Sequence, residues 1–183
     1  MSEVEIVEVK KEELEPLSKL ATSILREYYD PLLGKEQNDY MLDKFQSVKA
    51  LTEQIEHGYI YYWVKYGGNN AGFMGFYPVE NKLYLSKFYL AKEFRGKKVS
   101  RKMLEFLIDY SKKKGYKSIY LNVNKYNYNS IKIYEHLGFV KIRDEKNDIG
   151  KGYYMDDYVY EYNLWNKTFN WLFIYLVDFI IIS

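Results

Sequence analysis

The sequence predicts one α/β (α+β) domain in which a mixed, mostly antiparallel central sheet is flanked by helices. Three observations predict it. Residues 59–65 and 71–77 are β-rich runs separated by Gly67-Gly68-Asn69-Asn70, a strong hairpin signal. Residues 83–90 form another apolar strand, and the helix that follows allows a parallel crossover to a strand at 118–124. The 183-residue length suits a single core, with no internal repeat and no linker.

The elements follow in order. Residues 4–9 alternate apolar and charged side chains, as a half-buried strand does. Residues 12–29 place Leu14, Leu17, Leu20, Ala21, Ile24, Leu25 and Tyr28 at helical spacing, with Pro16 tolerated in the first turn. Asp30-Pro31 is expected to end that helix. Two short helices follow at 37–46 and 48–56, the second closed by Gly58. After the hairpin and the 83–90 strand, residues 99–114 bury one face through Val99, Met103, Leu104, Phe106, Leu107 and Tyr110. Gly115 stops it. A strand at 118–124, a short helix at 129–137 stopped by Gly138, and strands at 139–143 and 153–162 complete the order.

Composition excludes several functions. There is no cysteine, which removes disulfides, thiolate metal sites and a cysteine nucleophile. Two histidines, His57 and His136, cannot build a histidine-rich metal site, so no metal is expected. The net charge of +2 is too small to argue for nucleic acid. The charged N-terminus shows no signal peptide, and a cytoplasmic location is the default expectation. Tyrosine is abundant (22 residues) together with Lys, Ile and Asn, a codon-linked bias that gives a single tyrosine little weight.

Residues 83–104 carry the first chemical signal. An apolar strand ends in a basic turn, Arg95-Gly96-Lys97-Lys98, and a helix begins. Backbone N–H groups and the positive end of a helix dipole meet there, as in a phosphate site.

The block KFYLAKEFRGKKVSRKMLEFL and, one helix and one strand later, the block LNVNKYNYNSIKIYEHLGF are similar to two motifs of the GNAT superfamily of N-acetyltransferases. The first resembles the family's strand, pyrophosphate loop and helix. The second matches its Asn-x-Asn-Ala…Tyr…Gly-Phe pattern at Asn127-Tyr128-Asn129-Ser130, Tyr134 and Gly138-Phe139. The closing IGKGYYMDDYVYEYNL resembles C-terminal strands of bacterial members, so the resemblance spans about residues 4–164, with residues 1–164 as the N-acetyltransferase domain.

That resemblance implies a sheet splayed between its fourth and fifth strands and acetyl-CoA as acyl-donor cosubstrate. It implies that the amides of Arg95, Gly96, Lys97, Lys98, Val99 and Ser100 cap the diphosphate, and that Phe88, Tyr89 and Leu90 lend backbone groups to the pantetheine arm. Asn127 and Asn129 join the cofactor set, Asn129 as a helix cap that serves the pantetheine or simply the helix. It implies direct attack of a primary amine on the thioester through a tetrahedral intermediate, the amine being a small amine, a polyamine, or a lysine or N-terminal amine. Tyr134 is the implied general acid, since a phenol of pKa about 10 can protonate a departing thiolate of pKa about 8.5. Its helical spacing from Ile131 and Leu137 fits a core role equally well. A base is not legible: Glu80 and either Asp156 or Asp157 are candidates that read more readily as solvated charges, and Asn122 or Asn124 could hold a water at the splay. For the acceptor, Glu27, Tyr28, Tyr29, Asp30, Glu36 and Asp39 offer carboxylates among aromatics, suited to a cationic amine or to an ordinary helix face.

Two features depart from the family. Its loop usually runs Arg/Gln-x-x-Gly-x-Gly/Ala, whereas Lys98 and Ser100 occupy the small-residue positions here, and a Cβ can block close approach of backbone to phosphate. The second is the apolar tail, 165–183, whose segment 171–182 is twelve residues long and contains Asp178. That is short of the ~20 needed to span a bilayer. A homodimer or core-packing element, a membrane-surface anchor and an aberrant extension remain open for it. A non-catalytic CoA-binding or interaction module is the alternative function.

Overall fold

A computed structural model of the chain describes residues 3–165. Seven strands are formed: β1 (Val4–Glu8), β2 (Ile60–Tyr66), β3 (Asn69–Val79), β4 (Lys82–Leu90), β5 (Ser118–Asn124), β6 (Val140–Gly150) and β7 (Tyr153–Asn163). Five helices accompany them: α1 (Leu14–Leu33), α2 (Lys35–Gln46), α3 (Val48–Glu56), α4 (Val99–Lys113) and α5 (Tyr128–His136). The strands make one sheet in the order β1-β2-β3-β4-β5-β7-β6, antiparallel except for the β4–β5 pair.

Helices cover both faces. Val99, Met103, Leu104 and Leu107 of α4, with Ile133 and Tyr134 of α5, pack on Leu83, Leu85, Phe88, Leu90, Ile119 and Leu121. On the other face Leu14, Leu17, Ala21, Ile24 and Leu25 of α1, with Leu42 and Leu51, cover Tyr61, Trp63, Phe73 and Tyr89. Burying each such Leu or Phe contributes about 1.5–3 kcal/mol, so the two clusters hold the sheet between the helix layers.

The β2–β3 hairpin pairs Tyr66 with Asn69 around Gly67 and Gly68. Both glycines have positive φ, 57° and 80°, the conformation a two-residue turn needs to match strand twist.

Two expected boundaries differ. Helix α1 does not end at Asp30-Pro31 but runs through Pro31 to Leu33, and Gly34, at φ 85°, ends it. Proline lacks the donor that would bond the Glu27 carbonyl, and the helix continues for only two residues beyond it. Strand β6 extends to Gly150, where the sequence suggested an end near residue 143. Its middle is charged and solvent-facing because it is an edge strand paired on one side only, with β7.

The feature that positions the site is the parallel pair. Strands β4 and β5 pair over only three positions, Lys82–Ser118, Leu83–Ile119 and Tyr84–Tyr120. Beyond Tyr84, β4 stays with β3 as far as Leu90 opposite Gly72, while β5 stays with β7 as far as Asn124 opposite Asp157. The sheet therefore splays between its fourth and fifth strands.

Candidate active site

The splay leaves the β5-facing backbone edge of residues 85–90 without a strand partner. An extended polar ligand can take that place by strand addition. Phe88 and Leu90 turn their side chains into the α4–α5 core and Tyr89 turns to the opposite face. Their side chains are thus packing groups, and only their backbone is available to a ligand at the splay.

Strand β4 leads through a single 3-10 turn, Lys92–Phe94, to the basic loop and α4. Gly96 (φ 72°) and Lys98 (φ 63°) are both left-handed, and Lys98 is the N-cap of α4 with no side-chain capping bond. The first amides of α4 are left to an external acceptor, and no acidic residue occupies the first turn to compete with an anion. Val99 and Ser100 are buried, anchoring the turn from below, while Gly96, Lys97 and Lys98 are exposed. The Lys97 ammonium lies 5.5 Å from the ring centres of both Tyr66 and Phe94.

Arg95 turns inward. Its Nε donates to the Leu90 carbonyl at 3.1 Å and Nη1 lies 3.5 Å from Glu27 on α1. Its Nη2 is buried and has no hydrogen-bond partner among the described residues. A buried donor left without an acceptor is costly, and an anionic or carbonyl oxygen bound at the splay would remove that cost. This orphaned donor, the open strand edge and the uncapped helix end fit the polar arm and diphosphate of coenzyme A.

Across the splay, α5 follows β5. Its N-cap is Asn127, fully buried, whose side chain accepts from Ser130 N at 3.2 Å. The expectation that Asn129 caps this helix is corrected: Asn129 lies in the first turn, exposed. The helix starts one residue earlier than its apolar spacing suggests, because Asn127, in non-helical conformation, already supplies the cap. Tyr134, 1% exposed, packs against Phe139 at 5.4 Å between ring centres and belongs to the core that contains Phe88, Leu90 and Val99.

The opposite face of the splay opens into a cavity of about 550 Å³. Its walls include Tyr29 of α1, Tyr59 and Tyr77, Tyr84, Ser86, Lys87 and Tyr89 of β4, Asn122 and Asn124 of β5, and Asp157 of β7. Both diverging strand edges thus contribute, so the cavity lies over the splay. Asp157 is 3% exposed, and burial pushes its carboxyl up to about 6, partly offset by a hydrogen bond from Asn122. Asn122 also donates to Glu145 at 3.2 Å. The phenol of Tyr29, pushed well above its usual range chiefly by burial, interacts electrostatically with both Asp157 and Tyr134. Tyr29 therefore joins the cavity to the α5 side of the splay.

Several sequence candidates lie elsewhere. Glu80 is an exposed turn residue at φ 53°. Asp156 pairs with Lys125 at 2.6 Å on the partly exposed side of β7. Asp157 is the opposite of the solvated charge its sequence context suggested, because neighbouring strand residues face opposite ways. Of the proposed acceptor residues only Tyr29 lines the cavity. Glu27 is engaged by Arg95 and Lys92, while Asp30 and Asp39 are engaged by Arg26. Lys87 is a site residue that sequence alone does not single out; its signal is a lysine interrupting an apolar strand, followed by Phe-Tyr-Leu. The tail lies outside the described residues except for Trp165, whose indole N–H donates to the Tyr116 carbonyl at 2.9 Å.

Among the described residues no helix is long and apolar enough to cross a membrane, and no group of three or more His, Asp or Glu side chains is placed to hold a metal.

The profile of the acetyltransferase (GNAT) family matches residues 20–139, which takes in most of α1, all of α2 to α5 and the whole splay. The chain belongs to the GNAT family. Among curated relatives, the N-acetyltransferase YjgM of Escherichia coli (strain K12) is 30% identical over 89 residues, 46% of this chain and 53% of that protein. The chain thus matches about half the length of that relative. The fold is that of PaiA N-acetyltransferase from Thermoplasma acidophilum, solved in complex with coenzyme A, with TM-score 0.73, 22% identity and coverage of 88% of this chain and 99% of that one. A GNAT-family acetyltransferase from Staphylococcus aureus gives TM-score 0.67 at 20% identity, covering 88% of this chain and 99% of its own. The orphaned Arg95 donor and the open β4 edge fit the chemistry of the coenzyme A that the PaiA structure contains.

Proposed function

We propose that this protein transfers the acetyl group of acetyl-CoA to a primary amine by direct attack, with Asp157 as the base and Tyr134 as the acid. The carrying observation is Asp157, a buried carboxyl with a pKa of about 6 in a cavity that lies over the β4–β5 splay. An alkyl amine arrives protonated, because its pKa is near 10. A carboxylate poised near neutral pH can take that proton within the cavity.

Acetyl-CoA supplies the thioester carbonyl. The backbone of Phe88, Tyr89 and Leu90 would align its pantetheine arm, and Arg95 to Ser100 would hold the diphosphate on the α4 N-terminus. Asn127 caps α5, and Asn129 lies exposed in its first turn. The Tyr134 hydroxyl would hand its proton to the departing thiolate. Tyr29, which interacts electrostatically with both Asp157 and Tyr134, would link the two ends of the proton path.

The test is thiol release from acetyl-CoA with a panel of amines, amino acids, polyamines, aminoglycosides and peptides. Turnover with one acceptor class, reduced at least 100-fold in Asp157→Asn and in Tyr134→Phe, is the expected result. Acetyl-CoA binding by calorimetry with no turnover on any acceptor would mark a non-catalytic module instead.

A further inference from the structure

Lys87 is a buried ammonium with no anion to face. It is 8% exposed and lines the cavity, and its hydrogen bond is to the neighbouring Ser86 hydroxyl at 3.1 Å. It makes no ion pair with any described residue. Other charged groups on the cavity wall are engaged. Glu145 is held by Arg143, Glu53 lies near Lys49, and Lys44 reaches the Ile149 carbonyl and Tyr40.

The backbone is arranged to put Lys87 there. Gly75 of β3 pairs with Lys87 while Phe76 pairs with Leu85, which leaves Ser86 as the extra residue of a β-bulge. The bulge shifts the alternation, so Lys87 points to the cavity face and Phe88 to the core. Gly75 supplies the space beneath it. A Cβ at that position would come within 2.9 Å of Lys87 Cγ and 2.6 Å of Tyr61 Cε1. Burial pushes the ammonium down to about 8, as expected of a charge stripped of water without a counter-ion. An unpaired buried charge persists where a ligand completes it.

We propose that Lys87 is the anion-recognising residue of the acceptor cavity, so that the acceptor is an amine bearing a carboxylate on the same small molecule. The inference rests on the acetyltransferase reading, because it names the acceptor class of that same cavity. The wall then presents one buried acid, Asp157, and one buried base, Lys87, the complement of a zwitterion. A polyamine would bring a second cation against Lys87. Phenols of Tyr29, Tyr59, Tyr77, Tyr84 and Tyr89 leave an aromatic, half-polar surface for the remainder of the molecule.

The experiment compares matched acceptors that differ only in the carboxylate: phenylalanine with phenethylamine, lysine with cadaverine, arginine with agmatine. In the full chain the amino acid of at least one pair is expected to exceed its decarboxylated partner in kcat/KM by tenfold or more. Lys87→Met should erase that preference by lowering the amino acid alone, with Lys87→Arg retaining it. Equal kcat/KM within every pair, or a preference unchanged in Lys87→Met, overturns the proposal. A binding arm separates the two readings. N-acetylphenylalanine, N-acetyllysine and N-acetylarginine are titrated calorimetrically against the corresponding N-acetyl amines. Carboxylate-dependent binding that Lys87→Met abolishes, with no turnover of any amine, keeps the anion site and sinks the acetyltransferase reading. Turnover without carboxylate dependence in either arm does the reverse.

Discussion

Tyr28 on α1 donates its hydroxyl hydrogen to Oδ1 of Asn127 across 2.6 Å, and the same oxygen accepts the Ser130 amide at 3.2 Å. One side-chain oxygen therefore caps α5 and ties it to a helix 99 residues earlier in the chain. Helix α5 carries Tyr134, so the bond sets where that phenol stands relative to the splay. Asn127→Ala should cost about 1–2 kcal/mol through the lost cap. Tyr28→Phe should cost about 1 kcal/mol through the tie alone. Urea denaturation of the two variants checks both, and kcat should fall in each while acetyl-CoA binding changes little.

Asp157 makes stability and activity pull in opposite directions. Its folded pKa is raised from 3.8 to about 6, so the folded state binds the extra proton between those values. Stability therefore falls as pH rises from about 4 to 6, and the penalty is complete above 6. At pH 7 it amounts to about 3 kcal/mol at most, from a shift of about two units. Asp157→Asn should be more stable than the natural chain at pH 7 and indistinguishable from it near pH 4. In the active protein kcat/KM should rise through pH 6, and that limb should vanish in the variant. Melting curves at the two pH values, with a pH–rate profile, decide the matter.

Lys87 has the opposite sign of pH dependence. Its pKa is lowered from 10.5 to about 8, so the unfolded chain binds the extra proton between those values. The cost is fully present below pH 8 and disappears as pH rises toward 10.5. Lys87→Met should raise the melting temperature at pH 7 and lose that advantage as the solution is made alkaline. A carboxylate ligand should narrow the gap by stabilising the natural chain selectively.

Two glycines of β3 should respond differently to a methyl group. At Gly72 a Cβ would meet the Tyr89 carbonyl oxygen at 2.1 Å and Leu90 Cα at 3.0 Å, both backbone. At Gly75 the neighbours are the side chains of Tyr61 and Lys87. Gly72→Ala must move β4 itself and should cost more than 3 kcal/mol or prevent folding. Gly75→Ala should cost about 1–3 kcal/mol by displacing side chains. Its effect on activity should resemble that of Lys87→Met, because the lysine loses its space.

Lys98 sits at φ 63°, a conformation that costs a side-chain-bearing residue about 1–2 kcal/mol. Glycine relieves that strain and returns part of it as unfolded-state entropy. Lys98→Gly should therefore gain about 0.5–1 kcal/mol in urea denaturation with helix content unchanged.

The sequence by itself determined the order of elements, the hairpin, the crossover and the loop at the head of α4. These are local: apolar periodicity, paired glycines and a basic turn are encoded within a few residues of where they act. It also singled out Tyr134 and Asn127, because a contiguous motif carries them. The extension of α1 through Pro31 was not legible, since the helix stops where Gly34 takes a positive φ rather than at the proline. Only tertiary structure decided which charges matter. Glu27, Asp30 and Asp39 resemble a binding face in sequence, yet Arg95 and Arg26, brought in by folding, engage them. Asp156 and Asp157 are neighbours of identical chemistry, and the pleat sends one toward Lys125 and the other into a buried cavity. Lys87 owes its burial to the bulge at Ser86, formed against β3, and to Gly75 on that strand, 12 positions away. The electrostatic character of a side chain depends on desolvation and on neighbours distant in sequence, and those come into being only when the sheet closes around them.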